Sequence, residues 1–201
     1  MTNEEIVVRV KEYLTERFIV LKQYELNKQA GKLRAGSGIT VEGMIDLIWN
    51  ALASKYPEVN SRITVGRLTP VVVVDEDGEE IRESVDRHCF IDDEMVAAIE
   101  CKTYLDKCYM QRASDDFKLM KTQLPNLQGI IVSLEDSIAA NSFDFIMNKG
   151  YINKNFFLAT GKRNSAVECR IYNTAYRIQD DRILALINYL EGYFNGDYRT
   201  L

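Results

Sequence analysis

Asp86, Glu100 and Lys102 are the residues whose types and spacing point most directly to chemistry. They lie in VDRHCFIDDEMVAAIECK, Val85 to Lys102, which reads as strand, tight turn, strand. Side chains alternate across a strand, so Asp86, His88 and Phe90 share one face of the first. Val96, Ala98, Glu100 and Lys102 share one face of the second. Antiparallel pairing through an Asp92-Asp93 turn would set Asp86 beside Glu100 and Lys102. Hard divalent ions such as Mg²⁺ are held by carboxylate and carbonyl oxygens. Asp86 and Glu100 offer carboxylates, the Cys101 main-chain carbonyl a further ligand, and Lys102 a charge to orient water or offset developing negative charge. That is the equipment of metal-assisted phosphodiester hydrolysis. The small Ala97 and Ala98 leave room nearby.

Each of these residues also has a plainer reading. E-x-K at a strand end can be an exposed ion pair on an edge strand. The apolar lead MVAAI argues otherwise, because a strand buried on both faces delivers its charged residues to the rim of the sheet, where ligands sit. Asp92 competes with Asp86 as a metal carboxylate, although an Asp-Asp-Glu cluster is also what a hairpin turn carries. The register favours Asp86. A lone His is commonly a packed strand residue, so His88 is not assigned a role.

The surrounding elements must position these groups. Ile6, Val7, Val10, Tyr13, Leu14, Phe18 and Leu21 recur at helical spacing and predict an amphipathic helix from about Asn3 to Tyr24. NKQAGKLRAGSG is a basic, glycine-rich loop. A second helix should follow from an N-cap at Thr40 to about Ala53, with Val41, Met44, Ile45, Ile48 and Leu52 as its core face and Glu42 in its first turn. From Ile63 the texture is β: ITVGRL, PVVVV, a turn at DEDG, a run from Ile81 to Ile91, and MVAAIECK. Tyr104 to Leu124 returns to a helical pattern ended by Pro125, and GIIVSL is a buried strand. A helix from near Ser137 through Phe143 to Met147 follows, then strands at FFLAT and ECRIYNTAY and a closing helix in DDRILALINYLEGYF. The fold class is mixed α/β, a central sheet flanked by helices.

Composition sets bounds. The chain is 201 residues long with 46% hydrophobic residues, enough for a sizeable core. An acidic N-terminus and the lack of a long apolar run fit a protein that is neither exported nor membrane-spanning. Cys89, Cys101, Cys108 and Cys169 show no C-x-x-C spacing, and one His is too few for the usual zinc sets, so reduced thiols in a cytoplasm are expected. Net charge is −5, yet residues 75–100 hold eleven acidic side chains against Arg82 and Arg87. That is a local −9, which leaves +4 for the remainder. Concentrated acid suggests metal, although DEDGEE itself suits a solvated turn.

Asp86, a hairpin-sized gap, then Glu100-Cys101-Lys102 at the end of an apolar strand resembles the PD-(D/E)xK nuclease motif, with Val85 where the family often has Pro. The motif covers about a tenth of the chain. The resemblance implies a restriction-endonuclease-like core and metal binding by Asp86 and Glu100, with Lys102 assisting the attacking water. It also suggests an accessory role for Glu42, since the family often places a Glu from the preceding helix beside the metals; the first-turn role remains open. One domain is expected over residues 1–201: a helical part at 1–60, a catalytic core at 61–135, and C-terminal strands and helix at 136–201.

The implied partner is double-stranded DNA. Lys22, Lys28, Lys32 and Arg34 around the first loop, and Lys162, Arg163 and Asn164 after FFLAT, are candidate DNA contacts, with Arg163 and Asn164 suited to base edges. Gln111, Arg112, Lys118 and Lys121 could track the backbone or be solvated. A compact chain without a separate recognition domain resembles the smaller type II restriction enzymes, which commonly act as homodimers. Alternatives are a structure-specific repair or recombination nuclease and a non-catalytic α/β binding module.

Overall fold

The computed structural model describes residues 1–27, 38–75, 77–160 and 178–196. The chain opens with α1 (Asn3–Asn27), started by a reciprocal cap in which the Glu5 amide donates to Thr2 Oγ1 at 3.2 Å and the Thr2 amide to Glu5 Oε2 at 2.7 Å. After α2 (Gly38–Lys55) come β1 (Ser61–Val65), a 3₁₀ turn at Gly66–Leu68, β2 (Val71–Val74), β3 (Glu80–Glu83), β4 (Arg87–Ile91) and β5 (Glu94–Leu105). Then follow α3 (Lys107–Gln123), β6 (Gln128–Asp136), α4 (Ala140–Met147), β7 (Lys154–Phe157) and α5 (Asp180–Glu191).

Five strands form a mixed sheet in the order β1-β4-β5-β6-β7, antiparallel from β1 to β5 and parallel from β5 to β7. The strand that carries Glu100 and Lys102 is therefore central, not an edge. Its alternation sorts the core. Ala97, Ile99 and Cys101 face α1, α2 and α5, whereas Ala98 packs with Phe117 and Met120 of α3 and with Val71 and Val73 of the hairpin β2–β3. Helices thus flank the sheet on both sides, as the sequence pattern implies. No described helix is long and apolar enough to cross a membrane.

Several expectations change. α2 begins at Gly38, so Thr40 lies inside the helix and is buried instead of capping it, and Glu42 stands beyond the first turn. The run from Ile81 to Ile91 is two strands in two sheets, broken at Ser84–Asp86. A bulge opposite Cys89 and Phe90 leaves Val96 unpaired, and its side chain joins the α2 layer instead of sharing the face of Ala98. β5 runs on to Leu105, and α3 starts only after Asp106, whose carboxylate accepts the Tyr109 amide at 2.9 Å. The helix expected from near Ser137 to Met147 forms as α4, which starts at Ala140 and ends at Met147. The expected ECRIYNTAY strand lies outside the described residues.

A polar clamp joins the ends of α1, α2 and α5. Glu191 accepts from Lys55, from Tyr56 Oη at 2.7 Å and from Asn3 Nδ2 at 2.6 Å. Burial alone would raise the Glu191 carboxyl, but these donors outweigh it and hold the carboxyl below its ordinary value. Its contribution is therefore present above the unfolded glutamate pKa and disappears as pH falls through the lower folded value. Glu191→Gln should cost about 1–2 kcal/mol at neutral pH. In urea titrations the gap from wild type should shrink below about pH 4; a gap constant with pH would assign the effect to packing.

Candidate active site

The site is built at the break between β3 and β4. There the chain crosses from the hairpin into the main sheet, and three contacts fix its path. Gly66 N donates to Asp86 O at 3.4 Å, Val85 N to His88 Nε2 at 3.4 Å, and Arg87 Nη1 to Asp86 O at 2.8 Å. Gly66 is required by this approach, since a Cβ there would lie 1.6 Å from the Val85 carbonyl oxygen. His88 is fully buried and its burial lowers its pKa, so it serves as a neutral acceptor holding the loop.

With its main chain fixed, Asp86 turns its side chain to β5. Oδ2 accepts from the Cys101 amide at 2.8 Å and from Lys102 Nζ at 3.2 Å, and Lys102 also pairs with Glu100. A strand residue sends its N–H and C=O to the same side, so the Cys101 carbonyl faces the Asp86 edge too. The Cys101 thiol points the other way, into the α2 layer, where burial first and the nearby carboxylates next raise its pKa.

Glu100 is only 9% exposed. Burial first, then the Asp86 charge, push its carboxyl above the ordinary range, and Lys102 acts against both. Burial alone would lower Lys102, but Glu100 and Asp86 outweigh it and keep the ammonium charged. These groups face a pocket of about 320 Å³ that is also lined by Glu42, Val65, Arg67, Ser84, Val85, Arg112 and Asp116. The Asp116 carboxyl is raised, chiefly by burial.

Glu42 reaches the pocket wall from α2, held there by Arg87 Nη1 at 2.8 Å. Arg87 also forks onto Asp46, with Nε to Oδ1 at 2.6 Å and Nη2 to Oδ2 at 2.9 Å. The first-turn role considered for Glu42 is thus replaced by an ion pair. The residues brought together are Asp86, Glu100, Lys102, Glu42 and the Cys101 main chain. Asp92 is not among them. It is exposed in the hairpin turn with φ 47°, its amide bonded to Asn60 O at 2.8 Å, at the end of the hairpin away from Glu100.

Of the other candidates for backbone contact, Arg112 lines the pocket, whereas Lys121 donates to Asn153 Oδ1 at 2.6 Å and the neutral Gln111 amide to Asp115 Oδ1 at 2.8 Å. The side chain of Lys22, and Lys28, Lys32, Arg34, Lys162, Arg163 and Asn164 entirely, lie outside the described residues. Sequence reasoning missed Arg87, Asp46, Asp116 and Arg67. One signal was available for Asp46: it stands one turn after Glu42 in a helix otherwise apolar on that side, which marks a buried cation as their partner. Among the described residues no group of three or more His, Cys, Asp and Glu forms a ready metal site.

No family model matches this chain. Over 58 residues it is 40% identical to the type II restriction enzyme DdeI of Desulfomicrobium norvegicum (strain DSM 1741 / NCIMB 8310), a stretch covering 29% of this chain and 24% of that enzyme. The chain thus matches about a quarter of the curated relative's length.

The Arg87 contacts carry an expected outcome. Arg87→Met should cost about 2–3 kcal/mol, because it leaves Glu42 and Asp46 without their cation. In a double-mutant cycle with Asp46→Asn, measured by urea unfolding, the loss in the double variant should fall short of the sum of the two single losses by about 1 kcal/mol or more. Additive losses would mean that Asp46 does not hold Arg87.

Proposed function

We propose that this chain is a metal-dependent endonuclease that hydrolyses phosphodiester bonds of double-stranded DNA in the manner of a type II restriction enzyme. The observation that carries this reading is the sharing of one half-buried ammonium, Lys102, by Asp86 and Glu100 in the lining of a pocket beside the central strand. The local likeness to a restriction enzyme supports the same reading.

The donor set fits a hard cation. Asp86 and Glu100 are oxygen donors crowded enough to need more positive charge than Lys102 provides, and the Cys101 carbonyl faces the same edge. Mg²⁺ usually takes only one or two protein carboxylates, with waters and substrate phosphate oxygens completing its shell. When bound, it would supply charge neutralisation at the scissile phosphate and a more acidic water. The Cys101 amide keeps one Asp86 oxygen fixed, so the carboxylate is oriented before substrate arrives. Lys102 would exchange a carboxylate partner for a phosphate oxygen or the attacking water, donating to it as negative charge develops. Glu42, steadied by Arg87, stands at the wall as an accessory carboxylate.

In this reading DNA is held by the two basic sequence segments that contain Lys32 and Arg34, and Lys162, Arg163 and Asn164. A second copy of the chain would bring a second site to the opposite strand. Incubation of unmodified phage DNA with Mg²⁺ should give discrete fragments. Lys102→Ala and Asp86→Ala should slow cutting by about a hundredfold or more, whereas Asp92→Ala should cut as wild type. DNA left whole across several divalent ions and salt concentrations would overturn the proposal, and loss of cutting in Asp92→Ala would overturn the choice of carboxylate.

A further inference from the structure

The 3₁₀ turn Gly66–Leu68 combines features that a solvated turn does not need. Turns favour small and polar residues, yet this one presents Arg67 and Leu68. Leu68 is 78% exposed, more than any other large apolar side chain described. Arg67 lines the catalytic pocket. The other cations of that wall have carboxylate partners: Lys102 has Asp86 and Glu100, and Arg112 has Asp116 at 3.8 Å. Among the described residues Arg67 makes no ion pair and no hydrogen bond through its side chain. An exposed arginine beside an acidic pocket and left without a carboxylate is a group kept for an anion from outside.

The turn is also stiff. Thr64 and Thr69 close it through their hydroxyls at 2.6 Å, and Thr69 N donates to Gly66 O at 3.1 Å. Gly66 packs on the Val85 carbonyl and donates to Asp86 O, so the turn is mounted on the residue that bears the candidate catalytic carboxylate. A contact made by Arg67 therefore fixes register at Asp86 directly, without an intervening flexible loop.

We propose that Gly66–Leu68 is a DNA-gripping finger: Arg67 takes a backbone phosphate next to the one at Asp86 and Glu100, and Leu68 lies against the adjoining sugar. This rests on the nuclease reading above. Phosphate contacts of this kind set register and carry no sequence information. Each one also releases a counterion, so its loss lowers the dependence of affinity on salt.

The test is binding of a labelled DNA duplex in Ca²⁺ across a salt series, with cutting in Mg²⁺ measured in parallel. Arg67→Ala should lose about tenfold in affinity, and the slope of log K against log salt should fall by about one. Arg67→Lys, which keeps the charge, should keep the slope. Arg62→Ala removes another exposed arginine, one paired with Asp93 at the far end of β1, and should bind as wild type. If wild type binds and cuts while Arg67→Ala keeps its affinity and slope, or if Arg62→Ala loses as much, the finger is overturned and the nuclease reading stands. Wild type that neither binds nor cuts duplex overturns both.

Discussion

Two carboxylates brought together in one pocket, Glu100 buried and Asp86 half-buried, repel each other and lose hydration, and at this site the Lys102 ammonium is what holds them together. It touches Asp86 and Glu100 at once, and it reaches them because residues 100 and 102 leave the same face of one strand. The alternation of β5 is therefore the constraint on which the rest depends. It sends Ala97, Ile99 and Cys101 into one core layer and Glu100 and Lys102 towards the other side. A strand at the edge could twist or slip, but β5 is paired to β4 as far as Ile99 and to β6 past Lys102, and cannot turn these groups without breaking the β6 ladder.

Asp86 does not belong to that strand, so its position has to be made separately. Its main chain is gripped from two directions, by Gly66 from the turn after β1 and by Arg87, which is itself anchored on α2. Its side chain is gripped from a third, by β5. Arg87 and Lys102 thus do parallel work on opposite sides of the sheet. One neutralises Glu42 and Asp46 against α2, and the other neutralises Asp86 and Glu100 in the pocket. Asp86 is the residue both cations touch, which links the helical layer to the site through two short hydrogen-bond steps.

Local patterns in the sequence were sufficient for the mixed α/β layering, for the hairpin through Asp92 and Asp93, and for the juxtaposition of Asp86 with Glu100 and Lys102. All of these follow from a period of two or 3.6 over a few residues. What the sequence hid depends on contacts between distant segments. The Gly66–Val85 approach joins residues 19 positions apart, and the Arg87–Asp46 fork joins residues 41 apart; no local period announces either. Val96 was assigned to the wrong face because a bulge adds one residue to β5, and alternation cannot reveal an insertion in itself. The start of α2 was placed at Thr40 because Thr is a good cap, but burial of its side chain in the helix prevailed over that preference. The cap at Thr2 and Glu5, by contrast, is a legible T-x-x-E signature.

The acid concentrated between Asp75 and Glu100 separates by burial into groups with different fates. Asp75 receives the amides of Asp77 and Glu79 at 3.0 and 2.8 Å, an arrangement that closes the β2–β3 turn and leaves its carboxylates to water. Asp93 is exposed and paired with Arg62. Of the described acidic residues in this stretch only Asp86 and Glu100 line the pocket, and there the local charge is set by what surrounds them, not by the total of −5. Arg67 and Arg112 are the exposed charges of the pocket lining, but the carboxylates behind them repel a polyanion unless a cation lies between. On the nuclease reading, the same crowding would favour a divalent cation held by Asp86 and Glu100, which would offset the charge of the phosphate. On that reading, binding of DNA at this pocket and binding of the ion should reinforce each other by the same factor in both directions.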